Sequence, residues 1–282
     1  MKTTLACIPC LIRQALDVIK LVTPDETEQE QFMRIVLQEV SSFDLSLTPP
    51  HVAQHLHRVL RRQTGIDDPF FEAKKRFNAM ALDMLPGMEH QVRHAEDPLA
   101  MAVRMAIAGN IIDLGVNHGL TEIEARKAID RVLTEPFHGE LEVFKRAAAK
   151  AESILYLADN AGEIVFDRLL IEQLSPVPVT VAVRGNPIIN DATMEDARQA
   201  GIHDLAEVID NGADAPGTLL DECPDSFLEH FRKADLIVAK GQGNYETLNT
   251  ASGPIFFLFK VKCPVVAAKA GLEVGTQALI QA

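Results

Sequence analysis

The chain has 282 residues, and 47% of them are hydrophobic, so it can bury a sizeable core in one large domain or two closely packed ones. Its net charge of −13 would repel a nucleic-acid backbone, which argues against nucleic-acid binding but permits one small anionic substrate beside local cations. No apolar run reaches the roughly 18 residues that a membrane helix requires, and the start of the chain lacks a signal-peptide pattern. We therefore expect a cytoplasmic protein that does not bind membranes.

The first part of the chain, residues 1–150, carries apolar residues at helical spacing and is predicted to be a mostly helical region. A nearly apolar segment predicts a buried helix over Pro98–Ile112. Thr121 and Glu124 have the spacing of a capping box, which predicts a further helix running toward Leu133.

The second part, residues 151–282, alternates short apolar runs rich in β-branched residues with amphipathic segments. Helical patterns over Glu163–Leu174 and Thr193–Gly201 separate the first three runs. This β-α-β-α-β order predicts an α/β fold with a parallel sheet and right-handed crossovers. The predicted strands are 154–158, 177–183, 205–209, 236–239, 255–261 and 265–268.

Polar loops follow the first four predicted strands. In parallel α/β sheets, ligands bind beyond the carboxyl ends of the strands. Asp, Asn and Gly are common in any turn, but their recurrence at one edge of a sheet favours a functional site. The loops are 159–163, 184–193, 210–214 and 240–245.

Oxygen donors are prominent in two of these loops. Asp159 and Asn160 directly follow the first strand, and Asp191 lies in the loop after the second. Neither Cys nor His accompanies them, and oxygen ligands suit Mg²⁺ or Mn²⁺ better than Zn²⁺. The pattern predicts a divalent-metal site on these three residues, with positions left for water and a phosphate oxygen.

Lysines at the same edge predict an anion-binding site beside the metal. Lys240 follows the fourth strand, and Lys260 and Lys262 end the fifth, where a side-chain period of two puts both on one face. Lys240, together with Lys260 or Lys262, can hold phosphate oxygens. Gly241 allows backbone N–H groups to approach a phosphate closely.

Several short motifs, taken together and in order, resemble those of the metal-dependent damage-control phosphatase family. This family was formerly a domain of unknown function and is also called acidic-residue-methyltransferase-like. Two N-terminal motifs are similar to those of its stand-alone prokaryotic branch. The motifs are ADNAGE (158–163), RGNPIINDAT (184–193), AKGQGNYE (239–246), FFLFKVKCPV (256–265), CIPCLIRQAL (7–16) and GNIIDLG (109–115).

The resemblance implies a helical N-terminal part packed on a Rossmann-like α/β core, in agreement with the element pattern. It implies phosphomonoester hydrolysis supported best by Mn²⁺, Co²⁺ or Ni²⁺, with metal ligands at Asp159, Asn160 and Asp191. It also implies that Lys262 binds the phosphate, with Lys240 close by. The predicted substrate contacts are Asn110, Asp113, Gly241 and Asn244.

We therefore predict a metal-dependent phosphatase that hydrolyses a small phosphorylated metabolite, of the sugar phosphate, nucleotide or phosphopantetheine type. Two other classes stay open, an S-adenosylmethionine-dependent carboxyl methyltransferase and a non-catalytic metabolite-binding protein. Methyl transfer needs neither the metal ligands nor the lysines. Whether water attacks phosphorus directly or Asp159 attacks first also stays open.

Other polar groups are interpreted as structural. Cys7 and Cys10 have no second Cys or His pair at zinc spacing and do not follow a strand, so they are predicted to lie at the start of a helix. The histidines of the segment 51–57 are predicted to lie on a solvated helix face. Glu163 opens a predicted helix and is interpreted as a partner of the helix dipole.

Overall fold

The computed structural model describes residues 1–109 and 135–282, and helices and strands are numbered within these residues. Capping explains where several helices begin, because the side chains of Asp25, Thr48 and Asp97 each accept N–H groups of the first turn that follows. In the first segment the helices are α1 (Ile8–Val22), α2 (Glu26–Val40), α3 (Pro49–Thr64), α4 (Phe71–His94) and α5 (Pro98–Ala108), preceded by a 3₁₀ turn at Leu5–Cys7.

The second segment alternates strands and helices. The helix over Glu163–Leu174 has the bounds that its sequence pattern predicts. The predicted helix 193–201 is shorter and ends in a 3₁₀ turn at Ile202–Asp204. The elements are β1 (Phe137–Gly139), α6 (Leu141–Lys150), β2 (Ile154–Leu157), α7 (Glu163–Leu174), β3 (Val179–Val183), α8 (Met194–Gln199), β4 (Glu207–Asp210), α9 (Asp225–Lys233), β5 (Leu236–Lys240), α10 (Gly241–Leu248), β6 (Ile255–Lys260), α11 (Pro264–Ala270) and β7 (Gln277–Gln281).

The strands of the described segments form one seven-stranded sheet in the order β1-β7-β6-β5-β2-β3-β4. All neighbouring strands are parallel except β6 and β7, which are antiparallel. The predicted α/β fold with a mostly parallel, Rossmann-like sheet is therefore confirmed. The chain moves from β2 outward through β3 and β4, then returns to β5 on the other side of β2. This reversal of direction creates a crevice at the carboxyl ends of β2 and β5.

The C-terminal part of the sheet differs from the prediction. The predicted strand 265–268 is wrong, because these residues lie in α11. Pro264 occupies the first helical turn and the Cys263 sulfur accepts the N–H of Val266, which starts a helix despite the adjacent valines. Strands β1 and β7 were not predicted. Strand β1 precedes residue 150, so the region predicted as helical contributes one strand to the sheet.

Apolar packing joins the helices to the sheet. One buried cluster contains Phe77 of α4, Met105 of α5 and Phe166 of α7 together with side chains from the strands. Helices α9, α10 and α11 cover the other face, and α1 to α3 form a third cluster. Within the two described segments, no helix is both long and apolar enough to span a lipid bilayer. The cytoplasmic location stays a prediction.

The helix containing the segment 51–57 is less solvated than predicted. His57 is buried, with only 7% of the residue exposed. Burial, reinforced by the positive charge of Arg61, lowers its pKa to about 4. His57 is therefore neutral in the folded protein near pH 7. The predicted helix over Pro98–Ile112 begins at Pro98, but its last residues and the predicted helix after Thr121 lie outside the described residues.

Candidate metal and phosphate site

The three predicted metal ligands meet at the carboxyl ends of β2 and β3. Asn160 forms an isolated antiparallel bridge with Asp191. The Ala192 N–H donates to the Asp159 carbonyl at 2.8 Å, and the Ala161 N–H donates to the Asn190 carbonyl at 2.8 Å. These backbone contacts hold the loops after β2 and β3 side by side, although the two acidic residues are distant in sequence.

A third element closes over Asp159. Gly241, the first residue of α10, has a φ of 81°, and a Cβ added there would lie 1.9 Å from Asp159 Oδ2. Only glycine permits both this backbone conformation and this close approach. Gly241 was predicted to contact substrate, and the observed neighbour of its backbone is the carboxylate of Asp159.

The site is acidic and removed from solvent. Asp159 is buried, and this desolvation raises its pKa well above the usual value, with Glu163 and Asp191 adding to the effect. The positive charges of Arg184 and Lys262 oppose this increase. A low-dielectric cluster of carboxylates favours binding of a cation, because a cation relieves their mutual repulsion.

The chemistry of the donor set fits a divalent metal ion. Asp159 and Asp191 supply carboxylate oxygens and Asn160 supplies a carboxamide oxygen, which are the ligands that Mg²⁺ and Mn²⁺ prefer. In the described part of the chain, no three or more His, Cys, Asp or Glu side chains are spaced to hold a metal. Any metal bound here would therefore depend on the Asn160 oxygen as well as on carboxylates.

Arg184 is a charged member of the site that was not singled out from the sequence. Its guanidinium is almost fully buried, and Nε donates to Asp191 Oδ2 at 2.7 Å. Nη2 lies 3.8 Å from Asp159 Oδ1 and has no hydrogen-bond partner among the residues that the structure describes. An arginine placed directly after an apolar strand was the available signal, because a charge at that position requires a partner at the sheet edge.

Lys240 points into the protein core. Its side chain is fully buried, and Nζ contacts Glu163 Oε1 at 2.7 Å, Asp167 Oδ1 at 2.5 Å and the Ala106 carbonyl at 2.8 Å. Burial opposes the charge, but the two carboxylates outweigh it and raise the pKa of Lys240 above its ordinary value. An ammonium has three N–H donors, and all three are engaged, so this geometry does not support the predicted contact with a phosphate.

The other predicted lysines occupy different environments. Lys260 Nζ donates to Glu135 Oε1 at 2.6 Å, whereas Lys262 is exposed and close enough to Asp159 to lower the pKa of that carboxyl. Lys262 therefore stays the stronger candidate of the two for binding an anion, because Lys260 is already paired with Glu135. The backbone N–H of Lys262 donates to Gln242 Oε1 at 3.0 Å, which fixes the chain beside the start of α10.

Asn244 has a different role from the predicted contact with substrate. Its Nδ2 donates to the carbonyls of Ala158 and Lys240, and its Oδ1 accepts from the Thr218 hydroxyl. The amide thereby joins the end of β2 to the start of α10 and has no donor left for a ligand. The predictions for Asn110 and Asp113 fall outside the described residues.

The helical region also reaches the site. Asn78 of α4 is buried, and its Oδ1 accepts the Gly162 N–H at 2.7 Å while its Nδ2 donates to Asp196 Oδ1 at 2.9 Å. Asp196 forms a capping box with Thr193 at the start of α8. One helix residue therefore holds the loops that carry Asp159 and Asp191. No sequence pattern predicts this contact, since Asn78 lies in an ordinary helical segment.

The fold and the site define a Rossmann-like α/β protein with a buried, acidic cluster of oxygen donors at the reversal point of its sheet. The chain belongs to the family of the damage-control phosphatase ARMT1-like domain, whose model matches residues 3–278. The family predicted from the motifs is therefore confirmed.

Relatives in archaea cover nearly the whole chain. It is 38% identical to a protein of Archaeoglobus fulgidus named damage-control phosphatase, over 98% of this chain and 97% of the relative. It is 33% identical to damage-control phosphatase PH1575 of Pyrococcus horikoshii, over 99% of this chain and 97% of that protein. The crystal structure of PH1575, described as a DUF89 family protein, matches with a TM-score of 0.90 at 31% identity, covering 100% of this chain and 99% of that one.

Proposed function

We propose that this protein is a divalent-metal-dependent phosphatase that hydrolyses a small phosphorylated metabolite. The observation that carries the proposal is the convergence of Asp159, Asn160 and Asp191 from two strand ends, with the charge of Lys262 close to Asp159. The family and the names of its archaeal relatives support phosphatase chemistry. We expect Mn²⁺, Co²⁺ or Ni²⁺ to support activity best, with Mg²⁺ as a further candidate metal.

The residues have separate roles in this proposal. Asp159, Asn160 and Asp191 hold the metal, which when bound supplies a Lewis acid that polarises a phosphoryl oxygen and offsets developing negative charge. Lys262 holds another phosphate oxygen. Arg184 keeps Asp191 in place through its 2.7 Å contact and balances part of the acidic charge. Lys240 does not contact the phosphate in this proposal. It binds the carboxylates of Glu163 and Asp167 and holds them in position behind the site.

The experiment measures phosphate release from p-nitrophenyl phosphate by metal-depleted protein, with and without Mn²⁺, beside a methyl-transfer assay with S-adenosylmethionine. We expect phosphate release only when metal is added, and no methyl transfer. Undiminished phosphate release in excess EDTA would contradict the metal-dependent mechanism. Methyl transfer without phosphate release would replace the proposal with the methyltransferase function.

A panel of substrates then defines the substrate class. Sugar phosphates, nucleotides and phosphopantetheine compounds are compared by kcat/KM at saturating Mn²⁺. We expect at least one of these groups to exceed p-nitrophenyl phosphate, because binding energy from the leaving group contributes to transition-state stabilisation. Equal and low values for all compounds would contradict the expectation of a specific small metabolite.

A further inference from the structure

The carboxamide of Asn160 is held in one orientation by two carboxylates. Its Nδ2 donates to Asp159 Oδ2 at 2.9 Å and to Glu163 Oε2 at 3.3 Å. Both N–H groups of the amide are thereby used, so Oδ1 is the atom of the carboxamide that can bind a cation. Without Glu163, the amide could rotate and present a donor, which repels a metal ion.

Glu163 is itself held from the opposite side. It is 1% exposed, and its Oε1 accepts from Lys240 Nζ at 2.7 Å while Oε2 faces Asn160. Gly109 approaches so closely that a Cβ there would lie 2.9 Å from Glu163 Cγ. The carboxylate therefore has little freedom to turn, and a path of direct contacts leads from Lys240 through Glu163 to Asn160.

We propose that Glu163 is a positioning residue that turns the Asn160 oxygen toward the metal, and that Lys240 serves the site by holding Glu163. This inference rests on the proposed metal-dependent function. It assigns to Glu163 a role beyond that of a helix-dipole partner. It also gives Lys240 a role that is consistent with its complete burial, which the predicted contact with phosphate is not.

Asp167 provides a matched control within the same network. It is as buried as Glu163 and binds the same lysine, with Oδ1 at 2.5 Å from Lys240 Nζ and 2.7 Å from the Tyr156 hydroxyl. In the contacts of the described residues, it does not touch Asn160. A variant at Asp167 removes the charge of the other carboxylate on Lys240 and keeps the contacts from Lys240 through Glu163 to Asn160.

The test measures Mn²⁺ affinity by electron paramagnetic resonance of the free ion, with the thermal midpoint of unfolding recorded for each variant. In Glu163→Gln, the oxygen of the new amide can face only one of its two neighbours. Its NH2 group then faces either Asn160 Nδ2 or the Lys240 ammonium, so a donor meets a donor in both orientations. We expect the Kd for Mn²⁺ to increase by about 10- to 100-fold, as is typical when the partner of a metal ligand is lost. Asp167→Asn should lower the midpoint of unfolding comparably and change the Kd by less than about threefold.

A second comparison addresses the case in which Glu163→Gln folds poorly. It sets the double variant Glu163→Gln with Asn160→Asp against Asn160→Asp alone. In the double variant Glu163→Gln with Asn160→Asp, donor and acceptor exchange places, so the contact between the two side chains is restored. We expect this double variant to bind Mn²⁺ more tightly than Asn160→Asp alone, a coupling that independent sites do not show.

The outcomes separate the inference from the proposed function. Wild-type protein that binds no Mn²⁺ would overturn the metal site, and the inference with it. Wild-type protein that binds Mn²⁺ while Glu163→Gln binds it equally well would overturn the positioning role alone. An equal loss of affinity in Asp167→Asn would also overturn it, because the effect would then follow from the buried ion pair and not from the carboxamide.

Discussion

The helical region and the α/β core contribute to the site in different ways. The core supplies the groups that are proposed to bind metal and phosphate, and it places them at strand ends. The helical region supplies Asn78 and Lys74, which contact Asp196 and Gly162 behind the loops. It also supplies Arg58, which binds Asp214 at 2.6 Å in the loop after β4. The proposed chemistry thus belongs to the sheet, while the loops that would carry it are held by helices far away in sequence.

The first prediction tests the contribution of the core. Asp191→Ala removes one of the two proposed carboxylate ligands and the 2.7 Å partner of Arg184 Nε. Because metal assistance to phosphoryl transfer contributes several kcal/mol, we expect kcat/KM to fall by about 1000-fold or more. Circular dichroism should show a folded protein. Activity within tenfold of wild type would remove Asp191 from the metal site.

The second prediction concerns the exposed cation. Losing a group that stabilises developing charge typically costs about 3 kcal/mol, so Lys262→Ala should lower kcat/KM by about 100-fold. Lys260→Ala is the matched control, since it lies two residues away and is paired with Glu135. We expect the control to change kcat/KM by less than about threefold. Similar losses in both variants, or none in either, would contradict the assignment of Lys262.

The third prediction concerns the helical region and the effect of pH on the stability of the folded protein. His57 has a pKa of about 4 when folded, below its unfolded value, so the unfolded chain binds more protons between pH 6.5 and pH 4. The folded state therefore loses up to about 3 kcal/mol of stability as the pH falls through that range. Denaturant unfolding of wild type and His57→Gln should show a steeper pH dependence in the wild type. Parallel curves would contradict the neutral, buried state of this histidine.

The fourth prediction concerns the contact between the two regions. Asn78→Ala removes the partner of the buried Gly162 N–H and the Asn78 contact to Asp196 Oδ1, at a cost of about 2 kcal/mol. We expect lower stability together with a roughly tenfold loss of Mn²⁺ affinity, the lower end of the range for groups behind metal ligands. Asn249→Ala, at a half-buried position whose amide contacts carbonyls of α10, is a control for stability loss alone. Unchanged Mn²⁺ affinity in Asn78→Ala would show that loop placement does not depend on α4.

Much of the α/β core could be predicted from the sequence, because the carboxyl ends of parallel strands meet at one edge of the sheet. Asp159 and Asp191 follow buried strands that are neighbours in a parallel sheet, so their proximity follows from topology. The inward direction of Lys240 could not be predicted, because it depends on Glu163 and Asp167 being one helical turn apart on α7.

The contacts between regions were beyond the reach of sequence patterns. Asn78 and Gly162 are 84 residues apart, and nothing local distinguishes Asn78 from a solvent-facing residue of a helix. The strand predicted over residues 265–268 was wrong for a different reason. Valines 265 and 266 favour a strand, but a cap at Cys263 and a proline in the first turn decided for a helix. Local propensity was therefore a weaker signal than capping at that position.

The most direct test of the account is a crystal structure of the protein with Mn²⁺, in which anomalous scattering locates the metal. The account predicts one strong peak contacted by Asp159, Asn160 Oδ1 and Asp191, with Glu163 Oε2 against the Asn160 amide nitrogen. A peak elsewhere, or one without contacts from both Asp159 and Asp191, would contradict the proposed metal-dependent site.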